Sequence, residues 1–198
     1  MRPHPVALVL PTLLTCSALG VLPAAMVSAA HAESVTVADP GGNVPPMLAI
    51  ESARFSNRKK RVKVVVSAPE FSLQWVSWAR LEVLVGKQKG NPGYRYHYQL
   101  SWDRDSGGMT LYESRAGTDG SLRIKCRGKR FHSDEAAGRI TMSLPTRCLN
   151  GGAKVQMGYQ HGSTQTQYGW DAVPSVDDAV DDYGLGQLPT FTRWLRRG

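Results

Sequence analysis

Basic residues in this chain recur at alternate positions of short apolar runs: Arg61 and Lys63, Arg95, Arg123 and Lys125, Arg139, and Lys154. Side chains two residues apart on a strand stand on one face, so each run sets an apolar side against a cationic one. If these strands share a sheet, its outer face is a cationic plate with Gln99 and Gln156 among the charges. Such a plate attracts anionic polymers at long range, and salt weakens the attraction. The same residues also fit an ordinary wetted sheet face, where edge lysines deter aggregation. Trp75 and Trp78, with Phe71 nearby, offer a second chemistry. They read either as an aromatic platform for sugar rings or as caps over the open end of a core. The candidate ligand-binding residues are therefore Arg61, Lys63, Arg95, Arg123, Lys125, Trp75 and Trp78.

Other chemistries find less support. Arg104-Asp105-Ser106-Gly107-Gly108 invites a serine-protease reading, but turn chemistry explains the same residues, and neither His97 nor His132 has supporting context. His97, His132 and His161 lack the spacing of a zinc site. Asp177, Asp178, Asp181 and Asp182 form the densest carboxylate cluster, yet they lack the glycine-directed alternation of a calcium loop and read as a solvated acidic segment. No catalytic residue, metal or cofactor is assigned.

The elements that must position these groups centre on Cys126 and Cys148, the two cysteines outside the N-terminal leader. Leu122, Ile124 and Cys126 alternate with polar residues, as do Ile140, Met142 and Leu144, so both runs read as half-buried strands joined by a disulfide. Closing that loop contributes about 3 kcal/mol. The leader has a basic start, an apolar stretch and an Ala30-His31-Ala32 signal, which predicts a signal peptide over 1–32 and export of 33–198. Export suits a disulfide. No long apolar stretch follows, so no membrane span is expected after cleavage. The chain carries +8 overall and +9 on residues 33–170, while residues 171–198 are net −2. A cationic exported protein favours anionic envelope polymers as partners, and no nucleic-acid motif is present.

Alternation predicts strands at residues 35–37, 48–55, 61–66, 80–85, 94–102, 108–113 and 153–159, with a hairpin turn at 56–60. Ile50, Ala53, Phe55, the valines 62, 64 and 66, and the aromatic side of Tyr94, Tyr96, Tyr98, Leu100 and Trp102 face inward. Weak helical turns are expected within 133–137 or 175–182, and residues 161–189 read as a long polar surface excursion. Phe191 and Trp194 pin the tail. The sum is a single-domain, all-β, antiparallel β-sandwich, jelly-roll-like, with one disulfide.

Several segments taken together carry a resemblance: Asp39-Pro40-Gly41-Gly42-Asn43, the strand with a basic turn over 54–66, Pro145-Thr146-Arg147-Cys148-Leu149, Trp170-Asp171, and the tail from Phe191 to Gly198. The chain resembles a family of exported actinobacterial β-sandwich proteins of unassigned function. The resemblance implies a sandwich similar in shape to extracellular sugar- and haem-binding modules. Many such proteins carry an acidic loop after the Leu-x-Val-x-Val strand. Here that loop is Lys87-Gln88-Lys89-Gly90-Asn91, without carboxylates, so no metal is expected there. The expected function is a secreted, non-catalytic binding or accessory module at the cell envelope, with a polysaccharide or anionic polymer as ligand. The alternatives are a small secreted hydrolase and a structural or protein-binding module docking through an exposed strand or the tail.

Overall fold

The computed structural model of the chain describes residues 33–39, 44–87, 93–150, 152–165, 169–174 and 190–198. The signal peptide expected over 1–32, the loop expected at 87–93 apart from its two ends, and the Asp177 to Asp182 cluster lie outside them. In chain order the strands are β1 (Glu33–Ala38), β2 (Ser52–Asn57), β3 (Arg61–Ser67), β4 (Trp78–Lys87), β5 (Tyr94–Asp103), β6 (Met109–Arg115), β7 (Leu122–Arg123), β8 (Arg130–Asp134), β9 (Arg139–Pro145), β10 (Lys154–Gly162), β11 (Trp170–Val173) and β12 (Leu195–Arg196). Short 3-10 turns at Pro46–Leu48 and Thr146–Cys148 are the helical elements among the described residues.

Strict alternation decides which strand faces where. Val62, Val64 and Val66 of β3 and Ile140, Met142 and Leu144 of β9 point to one side and are fully buried. Leu81 and Val83 of β4, Tyr98 and Leu100 of β5, and Met157 and Tyr159 of β10 answer them from the second sheet, equally buried. Each such side chain contributes roughly 1.5–3 kcal/mol on leaving water. Two antiparallel sheets result. The five-stranded one runs β1-β2-β3-β9-β8; the seven-stranded one runs β11-β10-β4-β5-β6-β7, with β12 also pairing β10. The neighbours β3 and β9 continue into β4 and β10, which are neighbours in the other sheet, so the chain crosses between the sheets twice side by side. Trp102 and Phe131 stack with ring centroids 4.0 Å apart and join the far ends of β5 and β8. This is the antiparallel β-sandwich the alternation predicts, and Cys126 and Cys148 form its disulfide, with a Cα–Cα distance of 6.0 Å.

Four local expectations change. Residues 133–137 are not helical: they end β8 and make the β8–β9 turn, where Asp134 accepts the Ala137 N–H and Gly138 adopts a φ of 55°. A Cβ at Gly138 would stand 2.7 Å from Pro69 Cα, so the turn packs directly on backbone. The surface excursion read over 161–189 is corrected at residues 161–162 and 170–173, while Thr164 and Gln165 between them are exposed. His161 and Gly162 extend β10, and Trp170–Val173 is a strand paired to them. Their polar residues are internal: Asp171 Oδ2 accepts the Ile50 N–H at 2.7 Å, and His161 Nε2 meets the Leu48 carbonyl at 2.7 Å. The strand expected from residue 48 starts only at Ser52, after a 3-10 turn, although Ile50, Ala53 and Phe55 are buried as expected. Leu122 is 72% exposed rather than inward, because β7 is two residues long and lies at the sheet edge beyond the cover of the opposite sheet.

The C-terminal tail binds both sheets. Asn57, fully buried, donates to the Leu195 carbonyl at 3.0 Å, and Glu33 holds Arg193 at 2.8 Å. Thr192 bonds the Met157 backbone through both its N–H and its hydroxyl.

Candidate functional site

Arg61 opens β3, and its alternation with the inward valines sends its side chain to the outer face of the five-stranded sheet. There it lies over β9. Its Nε donates to Ser143 Oγ at 3.1 Å, and its Nη2 donates to Ser143 Oγ at 2.8 Å and to the Gly128 carbonyl at 2.6 Å. Ser143 is the cross-strand partner of Lys63 on one side and of Arg130 on the other, so Lys63, Ser143 and Arg130 form one row on this face. Directly opposite residues on neighbouring strands have Cβ atoms about 5 Å apart. Arg147, in the 3-10 turn after β9, donates from Nη2 to the Arg127 carbonyl at 2.9 Å.

The disulfide joins the two segments of this arrangement. It ties Cys126, just before the 127–129 loop, to Cys148, in the turn that carries Arg147. The loop carbonyls of Arg127 and Gly128 are thereby presented to two guanidinium groups. Arg54, Arg139 and His132 share the same outer face by register.

Among the described residues the cluster has no ion-pair partner. The ion pairs among the described residues are His97–Glu82, Arg104–Asp105 and Arg193–Glu33, and none of them reaches Arg61, Lys63, Arg130 or Arg147. Partial burial pulls the Arg61 pKa below its ordinary value, and the charges of Arg130 and Arg147 pull it further. Like charges held close together repel, and an anion placed among them reverses the sign of the interaction.

The other basic candidates lie elsewhere. Arg95 and Lys154 point outward from the seven-stranded sheet, Arg123 sits on its edge strand β7, and Lys125 is exposed in the segment after β7. The Arg95 guanidinium stands 5.4 Å over the Tyr96 ring. The plate is thus divided between two sheets: Arg61, Lys63 and Arg139 belong to one, and Arg95, Arg123 and Lys154 to the other. Neither tryptophan is an open platform. Trp75 is half-buried against the core, and Trp78, half-buried at the start of β4, is covered by the Arg80 guanidinium 4.7 Å from its ring. Gly162 leaves room for that indole, since a Cβ there would lie 2.8 Å from Trp78 Cζ2.

Two residues of the cluster, Arg130 and Arg147, are not among the sequence candidates. A signal existed for the first: Arg130, His132 and Asp134 alternate with Phe131 and Ser133. Reading it needed the knowledge that Phe131 alone marks a strand.

A second constellation occupies the outer face of the seven-stranded sheet. Glu82, fully buried, meets His97 Nε2 at 2.7 Å and accepts from Gln99 at 3.0 Å and, more weakly, from Gln160 at 3.5 Å. A buried carboxylate is tolerated only with such partners. The Asp-Ser-Gly-Gly run does not join it. Ser106 Oγ accepts the Gly108 N–H within the β5–β6 turn, and Asp103 caps the same turn. Asp103 lies six positions beyond His97 on β5, about 20 Å along the strand.

No family model, curated protein or solved structure matches this chain.

Proposed function

We propose that the protein is a secreted, non-catalytic binding module of the cell envelope, which holds an anionic polymer on the outer face of the five-stranded sheet. One observation carries this reading: Arg61, Lys63, Arg130 and Arg147 are gathered around Ser143 and the 127–129 loop with no carboxylate among them. A patch of one sign raises the local concentration of oppositely charged ligands, and the attraction fades as salt shortens the screening length to about 8 Å at physiological strength. The basic and apolar start ending in Ala30-His31-Ala32, together with the disulfide, supports export, and the envelope is where such polymers are met.

The test is co-sedimentation with purified cell-wall polymers and insoluble polysaccharides over a salt series. The variant Arg61→Ser, Lys63→Ser, Arg130→Ser, Arg147→Ser is compared with a control that removes equal charge from the other sheet: Arg95→Ser, Arg123→Ser, Lys125→Ser, Lys154→Ser. Binding that fades with salt, disappears in the first variant and survives in the second is the expected result. Equal loss in both variants would reduce the interaction to net charge and remove the five-stranded face from the account.

A further inference from the structure

We propose that the notch between Arg61, Arg130 and Arg147 is a phosphate-recognising subsite, so that the polymer bound carries phosphate groups rather than uronates. This deepens the reading of the five-stranded face as an anionic-polymer surface and rests on it.

The argument begins with which donors are already engaged. Arg61 is fixed by Ser143 and the Gly128 carbonyl through Nε and Nη2, which leaves Nη1 outside those bonds. Arg147 is fixed by the Arg127 carbonyl. Both forks converge on one place: Arg61 Nη1 is 3.9 Å, and Arg147 Nη2 3.7 Å, from the point where a Gly128 Cβ would lie. Gly128 has a φ of 86°, so a side chain there would be strained, and its Cβ would stand in contact with both forks. The bare glycine is the floor of the notch, and Arg130 stands at its side across Ser143.

Geometry then selects the anion. A carboxylate has two oxygens in one plane, and a single guanidinium fork satisfies it. A phosphodiester sets its two unesterified oxygens on a tetrahedral centre with the ester oxygens outside their plane, so donors that do not share one plane still find an acceptor. Arginines already held by protein acceptors lose little freedom when they bind, which is how a preorganised site gains affinity. The surrounding rows supply hydroxyls, Ser34, Ser56, Thr36 and Thr141, and no phenylalanine, tyrosine or tryptophan. Bases would find no stacking platform here, which favours a sugar- or polyol-phosphate polymer over nucleic acid.

The experiment uses the disulfide-intact protein and compares affinity for poly(glycerol phosphate), polygalacturonate and duplex DNA at matched charge concentration and one ionic strength. Variants are Arg130→Ser and Arg147→Ser, both exposed, and Arg61→Lys, which keeps charge but loses the planar fork. The expected result is a preference of about tenfold for poly(glycerol phosphate), reduced to about twofold in Arg61→Lys while polygalacturonate affinity is unchanged. The two serine variants lose the preference with unfolding midpoints close to the wild type. Equal affinity for the two polymers, unmoved by Arg61→Lys, would overturn the phosphate subsite and leave the anionic-polymer reading standing. Binding to neither would sink both. Tighter binding to DNA than to poly(glycerol phosphate) would overturn the assigned polymer class.

Discussion

His161 and Asp171 show how far burial bends single residues in this sandwich. They face each other across β10 and β11, and both are inside. Burial lowers the His161 pKa to about 4, against a smaller opposing effect of the Leu48 carbonyl. Burial raises the Asp171 pKa to about 6, with the Asp39 charge adding to it and the Ile50 and Ala172 N–H groups opposing. The signs are opposite. The neutral His161 makes the fold lose stability as pH falls from 6.5 towards 4. The raised Asp171 gives stability that is full below 3.8 and lost as pH rises through 6. Each shift corresponds to about 3 kcal/mol, so the two nearly cancel over that window. Replacing Asp171 by Asn exposes the histidine contribution. Urea unfolding should show Asp171→Asn losing about 3 kcal/mol more than the wild type between pH 6.5 and pH 4. Parallel pH curves for the two proteins would mean that Asp171 titrates as an ordinary carboxyl.

At the scale of elements, the disulfide links site to fold. Its loop spans 22 residues, and chain-entropy reasoning assigns it about 3 kcal/mol. It also ties down the segment whose Gly128 and Arg127 carbonyls accept from Arg61 and Arg147. The double substitution Cys126→Ala, Cys148→Ala should therefore lower unfolding free energy by about 3 kcal/mol. Polymer affinity should fall under conditions where the variant is still folded. Intact affinity in a folded variant would show that the loop needs no tether. Much of this level is legible in the sequence. β3, β5, β9 and β10 alternate cleanly because one face is buried, and the cysteine pair follows from the two cysteines that remain once Cys16, in the expected leader, is set aside. Two things are not legible. A period of two assigns a residue to a face but not to a sheet, so Arg61 and Arg95 look alike until strand order separates them. β8 carries Phe131 as its single large apolar side chain, too little for a pattern, and its partner Trp102 lies 29 positions away. The buried polar residues of β10 and β11 were hidden for a related reason: His161 and Asp171 look soluble until Leu48 and Ile50 are brought to them.

The whole molecule presents two unlike outer faces. The seven-stranded sheet carries on its outer side a buried hydrogen-bonded network, in which Glu82 gathers His97, Gln99 and Gln160, with Arg95 and Lys154 exposed apart from it and a tryptophan that an arginine already covers. The five-stranded sheet turns outward hydroxyls and guanidinium groups, without acidic ion-pair partners among the described residues at its disulfide end, while Asp134 stands opposite Arg139 at the other end. This asymmetry, rather than the net charge, is the central claim. Its most direct test is an amide and arginine side-chain NMR spectrum of the protein titrated with poly(glycerol phosphate) at low salt. Shifts are predicted for residues 61–63, 127–130 and 143–147, with His97, Gln99 and Trp78 unmoved. Shifts centred on the seven-stranded sheet, or spread evenly over both faces, would contradict the account.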